Sequence, residues 1–318
     1  MPASVESIRV DRSWLGAPAG TIANPTVWLF VSATALLAVG TACHLTGAFP
    51  ALATIAINAV ALYVIFTPLH EAMHGVAHEA RWINAAIGRV AGLALTITLP
   101  LFRGVHFEHH SHTNDPERDP DLGVARRPRW LLPLWCGLIP TESRLAFYGR
   151  RLWRSRGQLV EALAVDVLVT GVLLATLTTT WAMTLVVVWL APAAIAVLIL
   201  AFAFDFLPHY PYDRRERYFD TRIQPGAVRN VVLLGQNHHL IHHLWTTIPW
   251  FRYQPVFLAI RDDLARRGCR IGDEPRSVRR RPGDGPLEPI VAPEQLASGT
   301  EAGGAEDVVG NRGVGLRP

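Results

Sequence analysis

Three stretches of the chain carry histidine at spacings that could hold metal ions. The first, HEAMHGVAH, places His70, His74 and His78 at i, i+4 and i+8. The second, HFEHHSH, contains His106, His109, His110 and His112. The third, GQNHHLIHHLWTTIPWFRY at 235–253, holds His238, His239, His242 and His243, four of the thirteen histidines within six positions. On a helix, residues three and four apart share a face, so each stretch would aim two or three imidazoles at one point. Neutral imidazole is a strong ligand for iron, copper and zinc. A further histidine, His209, stands alone in DFLPH. Eight or more imidazoles exceed what one tetrahedral zinc can use, so two ions are the natural reading. A nitrogen-rich, carboxylate-poor donor set suits iron, copper or zinc better than magnesium or calcium.

Two other classes compete. His70-Glu71-Ala72-Met73-His74 matches HExxH, the zinc-protease signature in which the glutamate is the general base. That reading leaves the second and third stretches idle. A non-catalytic metal-binding or transport protein is the other alternative. A transporter needs ligands inside its membrane spans, and only His44 lies in one.

The elements that position these residues are apolar. Half of the 318 residues are hydrophobic, and they are bunched into long runs. Segments 26–49, 51–69, 159–180 and 181–207 are each long enough to cross a hydrocarbon core of about 30 Å at about 1.5 Å per residue. Segment 87–102 is shorter and reads as a re-entrant or interfacial helix closed by Pro100. A fifth true span there would put the second and third histidine stretches opposite the first. With four spans, both termini and all three stretches share one side. The connections on that side, 103–156 and 208–222, are Arg-rich, which marks it as cytoplasmic in a cell membrane. The net charge is +4 and every basic residue is arginine. These arginines flank apolar runs, so membrane orientation accounts for them and no nucleic-acid partner is expected.

Cys43, Cys136 and Cys269 are far apart and form no CxxC pair, which argues against a disulfide framework or an iron–sulfur centre. The first 26 residues lack the layout of a cleaved signal, so the first apolar run reads as an uncleaved span. The expected organisation is a cytoplasmic N-terminal tail at 1–25, a membrane domain at 26–271 and a disordered C-terminal tail at 272–318, rich in Gly, Pro, Glu and Arg. Within the domain, Val256, Phe257, Ile260 and Leu264 mark one face of an amphipathic helix.

The three stretches resemble the histidine boxes of the membrane fatty-acid desaturase and lipid hydroxylase superfamily. HxxxH matches His70 and His74, HxxHH matches His106, His109 and His110, and a second HxxHH matches His239, His242 and His243. The additional histidine that follows the last span in this superfamily corresponds to His209. TNDPERDPD after the second box and QNHHLIHHLWTTIPWFRY at the third look most like the carotenoid β-ring hydroxylases and their desaturase neighbours. Position 238 departs from the pattern, being a histidine where an aromatic residue is expected.

The resemblance implies an all-α membrane enzyme with four spans, a re-entrant helix and a cytoplasmic helical cap carrying a di-iron site. It would use O2 to oxidise an unactivated C–H bond, giving hydroxylation of a carotenoid β-ring or, alternatively, a double bond in a fatty-acyl chain. The lipid substrate would enter from the bilayer. Electrons would come from an external donor such as a ferredoxin, because the chain has no GxGxxG, haem or Cys-rich motif. The ligands so implied are the nine histidines just matched. His78, His112, His238 and Asp205 are secondary candidates, as ligands or as partners that orient them. Asp115, Asp119 and Asp121 either orient imidazoles or stay solvated, with solvation preferred, and Trp245, Trp250 and Phe251 read as interfacial anchors rather than substrate contacts.

Overall fold

Backbone groups in hydrocarbon must be satisfied within their own segment, so the apolar runs have only the helix available. A computed structural model describes residues 7–18, 20–125 and 127–272. The described residues are helical, with one isolated β-bridge, Ile223 to Ile271, and no strand. Four helices are long and apolar enough to cross a membrane: α1 (Pro25–Leu45), α2 (Ala51–His74), α6 (Arg156–Leu177) and α7 (Ala182–His209). Between them lie α3 (Arg81–Ala94), α4 (Leu99–His112) and α5 (Leu132–Gly149). After α7 come three helices of the cap: α8 (Ala227–Val232), α9 (His239–Leu244) and α10 (Tyr253–Arg266).

The spans differ in how much they bury. Ala162 alone is buried in α6, and Thr26, Ala33 and Gly40 in α1, so their apolar surfaces face outwards. α2 is the central helix, packed on α1, α3 and α7. The core there joins Leu62, Ile65, Leu69 and Met73 of α2 to Ala196, Leu200 and Phe204 of α7 and to Leu95 and Leu99. Inside it, Asn58 Nδ2 donates to Val188 O (2.8 Å) and Thr41 Oγ1 (3.2 Å), which ties α1, α2 and α7 together.

The re-entrant element expected at 87–102 is present as a bent pair. α3 and α4 meet at 95°, and α4 runs on through the second histidine box. The correction concerns Pro100, which does not close the element. The break falls at residues 95–98, with Thr96 at φ 58°, and Pro100 lies in the first turn of α4. A proline costs no hydrogen bond in that position. Residues 132–149 lie within the expected Arg-rich connection, for which no element was assigned. They form the 18-residue helix α5.

The cap has its own core of Ile223, Leu240, Ile241, Leu244, Ile248, Tyr253, Val256, Phe257, Ile260 and Leu264, which includes the expected face of α10. The described part of the N-terminal segment packs on it through Ile8, Val10 and Trp14. Gly16 N donates to Thr247 O (2.8 Å) and Arg252 Nη1 to Trp14 O (3.1 Å). That segment is therefore fastened to the cap, at the same end of the bundle as the histidines. The tail expected at 272–318 lies outside the described residues except for Gly272.

Candidate metal centre

Each histidine box sits where a helix end is held by specific hydrogen bonds. The last carbonyls of α2 have no partner within the helix. Asn84 Nδ2 donates to Ala72 O (2.7 Å) and Arg103 Nε to Met73 O (2.9 Å). Gly75, left-handed at φ 80°, ends the helix. His70 and His74 are thereby fixed one turn apart. α4 starts at Thr98, whose Oγ1 accepts from Leu101 N (3.2 Å), and carries His106, His109 and His110. His209 closes α7 just after a π-helical stretch, Ala201–Phe206. α9 is too short to hold itself. The turn Gln236–His238 that leads into it starts from Gly235 (φ 80°), where a Cβ would come within 2.7 Å of Trp250 O, so the loop carrying Trp250 can lie directly against the backbone.

The nine histidines of the boxes and DFLPH converge in two adjoining groups. His70, His74, His106 and His242 each offer one nitrogen within 4.8 Å of the others, and His109, His209 and His243 do the same. His110 Nε2 lies 2.9 Å from Nε2 of both His106 and His242, while its ring centre is 4.3 Å from that of His243. It therefore stands between the groups. His239 Nε2 is 3.2 Å from Nε2 of both His209 and His243, on the side of the second group.

The secondary candidates are not members of the two groups. His78 Nε2 faces Thr21 Oγ1 (3.2 Å) and its Nδ1 accepts from Ala80 N (2.9 Å), which fixes the loop after α2. His112 turns back to Glu108 O (3.1 Å). His238 is buried against Phe257, with ring centres 5.1 Å apart. Asp205 lines the cavity beside His209, and neither carboxylate oxygen has a hydrogen-bond partner among the described residues.

Four of the nine imidazoles meet a partner at Nδ1, His243 most loosely, at 3.5 Å from Thr113 Oγ1, and the other three are held closely. His109 Nδ1 is 2.9 Å from Asp119 Oδ1, His239 Nδ1 is 3.1 Å from Gln236 Oε1, and His242 Nδ1 is 3.0 Å from the Tyr253 hydroxyl. Donation at Nδ1 leaves the Nε2 lone pair pointing inward, the arrangement typical of metal-binding histidine. Asp119 was expected in solvent. It is 5% exposed, because it also accepts from Asn114 N (2.7 Å) and Asp121 N (2.9 Å) and so closes the turn after α4. Gln236 and Tyr253 were not singled out in the sequence. Tyr253 had a signal, since it falls on the inward face shared by Val256, Phe257, Ile260 and Leu264.

Burial drives the pKa of His106, His110, His239, His242 and His243 well below the ordinary value, so these rings are neutral at pH 7. Burial acts the same way on His109, but the charge and hydrogen bond of Asp119, aided by Asp121 and Asp205, outweigh it and raise its pKa to about 10. The site thus stabilises a positive charge at His109. Burial raises Asp220, 3.8 Å from His243 Nδ1, to about 7.

The donor set fits metal ions. Neutral imidazoles meeting Nε2 to Nε2 at 2.9–3.2 Å would set lone pairs against each other without a cation between them. Two nitrogens bound at about 2.1 Å and at right angles stand about 3.0 Å apart. His70 Nδ1, His74 Nε2 and His209 Nδ1 are buried with no hydrogen-bond partner among the described residues. Glu71, the general base of the protease reading, is held away by a bond from Trp250 N to its Oε2 (3.2 Å). Trp250, expected as an interfacial anchor, also donates from Nε1 to Thr26 Oγ1 (3.2 Å), joining the cap to α1.

One cavity opens onto the histidines. Phe66, Leu95, Phe102, Leu200 and Phe204 give it an apolar wall, and His70, His106, His109, His209 and His239 also line it.

Residues 46–275 match the family model described as Fatty acid desaturase, and the chain belongs to that family. It is also 26% identical over 199 residues to a protein named Beta-carotene ketolase from Haematococcus lacustris. That match covers 59% of this chain and 56% of the relative, a little over half of its length.

Proposed function

We propose that this member of the fatty acid desaturase family is a di-iron, O2-dependent oxidoreductase that hydroxylates the β-ring of a carotenoid. The observation that carries the reading is a largely apolar cavity lined also by imidazoles of both histidine groups. The relative named Beta-carotene ketolase supports a carotenoid as the substrate class. Acyl-chain desaturation is the second reading, favoured by the family description.

In this proposal His70, His74, His106, His110 and His242 hold one iron, and His109, His209, His239 and His243 the other. Bound iron supplies O2 activation and removal of hydrogen from an unactivated carbon, chemistry no side chain can perform. The protein's own part is positional. Asp119, Gln236 and Tyr253 keep their imidazoles in the tautomer that binds metal. Phe66, Phe102 and Phe204 exclude water and hold the apolar substrate with one carbon facing the histidines. The histidine end lies on the cytoplasmic face of the cell membrane, where an external carrier such as a ferredoxin delivers electrons.

The test is expression in a carotenoid-accumulating host, with pigments and fatty acids profiled together. New hydroxyl groups on carotenoid rings support the reading. New acyl double bonds with unchanged pigments replace it with the second, and no change in either class removes both.

A further inference from the structure

α5 is a helix that the proposed reaction has not yet used. Its outward stripe, Leu134, Thr141 and Leu145, runs at helical spacing and contains no charge, although all three residues are exposed. Leu134 is 51% and Leu145 70% exposed, and Trp130 just before the helix is 80% exposed. In water such a stripe is unfavourable. Its two charged residues both turn aside: Glu142 pairs with Arg127, and Arg144 with Asp166 (3.2 Å). Arginines bracket the helix, Arg127 and Arg129 before it and Arg150, Arg151 and Arg154 after it.

Its depth follows from its partners. Tyr148 donates to Asp166 Oδ2 (2.8 Å), and Arg144 bonds the other oxygen of the same carboxylate. Asp166 lies ten residues beyond Arg156 in α6, about 15 Å along the span. Arg144 also donates to Thr96 O at the bend between α3 and α4. α5 is therefore level with the spans and the re-entrant bend. The inner face of α5 carries Ile139, Pro140 and Ser143, which line the cavity opposite Val197 and Ala201 of α7. α5 meets α7 closely at Gly137, whose Cβ position is 3.7 Å from Leu198 Cδ2.

We propose that α5 is embedded in the membrane beside the spans, with its outer stripe against bilayer hydrocarbon, and that an apolar substrate passes from the bilayer into the cavity between α5 and α7. The substrate path rests on the proposed function, whereas the membrane contact of α5 stands independently of it.

Two measurements on the full-length, iron-loaded protein in nanodiscs test this. Bimane is attached through cysteine at Leu134, Thr141 or Leu145, with Val167 of α6 and Asp262 of α10 as lipid and water references. Brominated lipids should quench the three α5 labels as strongly as the Val167 label. Quenching by aqueous iodide, as at Asp262, overturns the membrane contact, and protection from both quenchers points to a covering protein and overturns it too. For the path, a diazirine-bearing long-chain hydrocarbon is photolysed in the bilayer and its adducts are mapped. Adducts at Ile139, Ser143 or Leu200 should fall at least tenfold in Ala201→Trp, with two irons per chain retained, and stay unchanged in Val167→Trp. Wild-type labelling in Ala201→Trp overturns the path, and if that variant loses iron, Val197→Trp takes its place. Neither readout requires turnover, so failure of the carotenoid or acyl assignment remains distinguishable from failure of this proposal.

Discussion

Asp119→Asn removes one charge from behind the second histidine group with almost no change in volume. Asp119 is buried and accepts from His109, Asn114 and Asp121. Hydrogen bonds to a charged group contribute about 1.5–3 kcal/mol each, and losing the partner behind a metal-binding histidine lowers metal affinity by about 10–100-fold. A proton and a metal ion compete for the same stabilised charge. His109 has its pKa raised to about 10, so below that pH a metal must displace a proton from Nε2. Affinity should therefore rise about tenfold per pH unit up to pH 10. Burial also raises Asp220, to about 7, so the slope is followed above that value, over about pH 7.5–9. The assay is competition for zinc, a redox-inert probe, against a chelator of known affinity across that window. Wild type should show the slope. In Asp119→Asn the slope should flatten, with an affinity about 10–100-fold lower at pH 9. An unchanged slope and unchanged affinity would refute both the proton competition and the orienting role of Asp119.

Three further outcomes are expected. His106→Ala or His242→Ala should abolish turnover and lower iron content while membrane insertion persists; full activity in either would remove the site, and wild-type protein holding a single zinc rather than about two irons would overturn the metal assignment. Glu71→Gln should keep turnover within about threefold, because a side-chain oxygen can still accept from Trp250 N; loss of all activity, with peptide cleavage in the wild type, would restore the protease reading. Raised salt should slow turnover with a protein electron donor but not with dithionite, if the exposed arginines of 214–222 bind an acidic carrier; equal slowing with both reductants would exclude that docking.

The histidine boxes and the spans were legible because both signals are local. A run of apolar residues reports a span without knowledge of its neighbours, and HxxHH reports a helical face within one turn. α5 was not legible. Pro133 and Pro140 interrupt its pattern, and its outward residues are apolar where a soluble amphipathic helix would be polar. For Asp119 solvation was preferred over an orienting role because its sequence surroundings, DPERDPD, are charged; His109 and two backbone N–H groups of the turn bury it. The N-terminal segment looked like a free tail because Ile8, Val10 and Trp14 are too sparse to signal packing. Their partners lie more than two hundred residues away in the cap, as the bond from Ile8 N to the Tyr218 hydroxyl shows.

The way the cap is built links its folding to the site. Tyr253 belongs to the cap core and also holds His242, while Trp250, three residues earlier, reaches Glu71 of α2 and Thr26 of α1. His242 in turn faces His70 and His74 on α2, with ring centres 4.5 and 4.8 Å apart. Closing the first histidine group therefore requires the cap to be seated on the spans. An ion bound there would join α2, α4 and α9, so its binding energy would appear as resistance of the cap to detachment. The short helix α9, unstable alone, gains its structure from the same contacts that aim its histidines. The length of α9 is thus a consequence of its role: it needs only the one turn that carries His239, His242 and His243, because the cap core and the facing imidazoles supply the remainder of its stability.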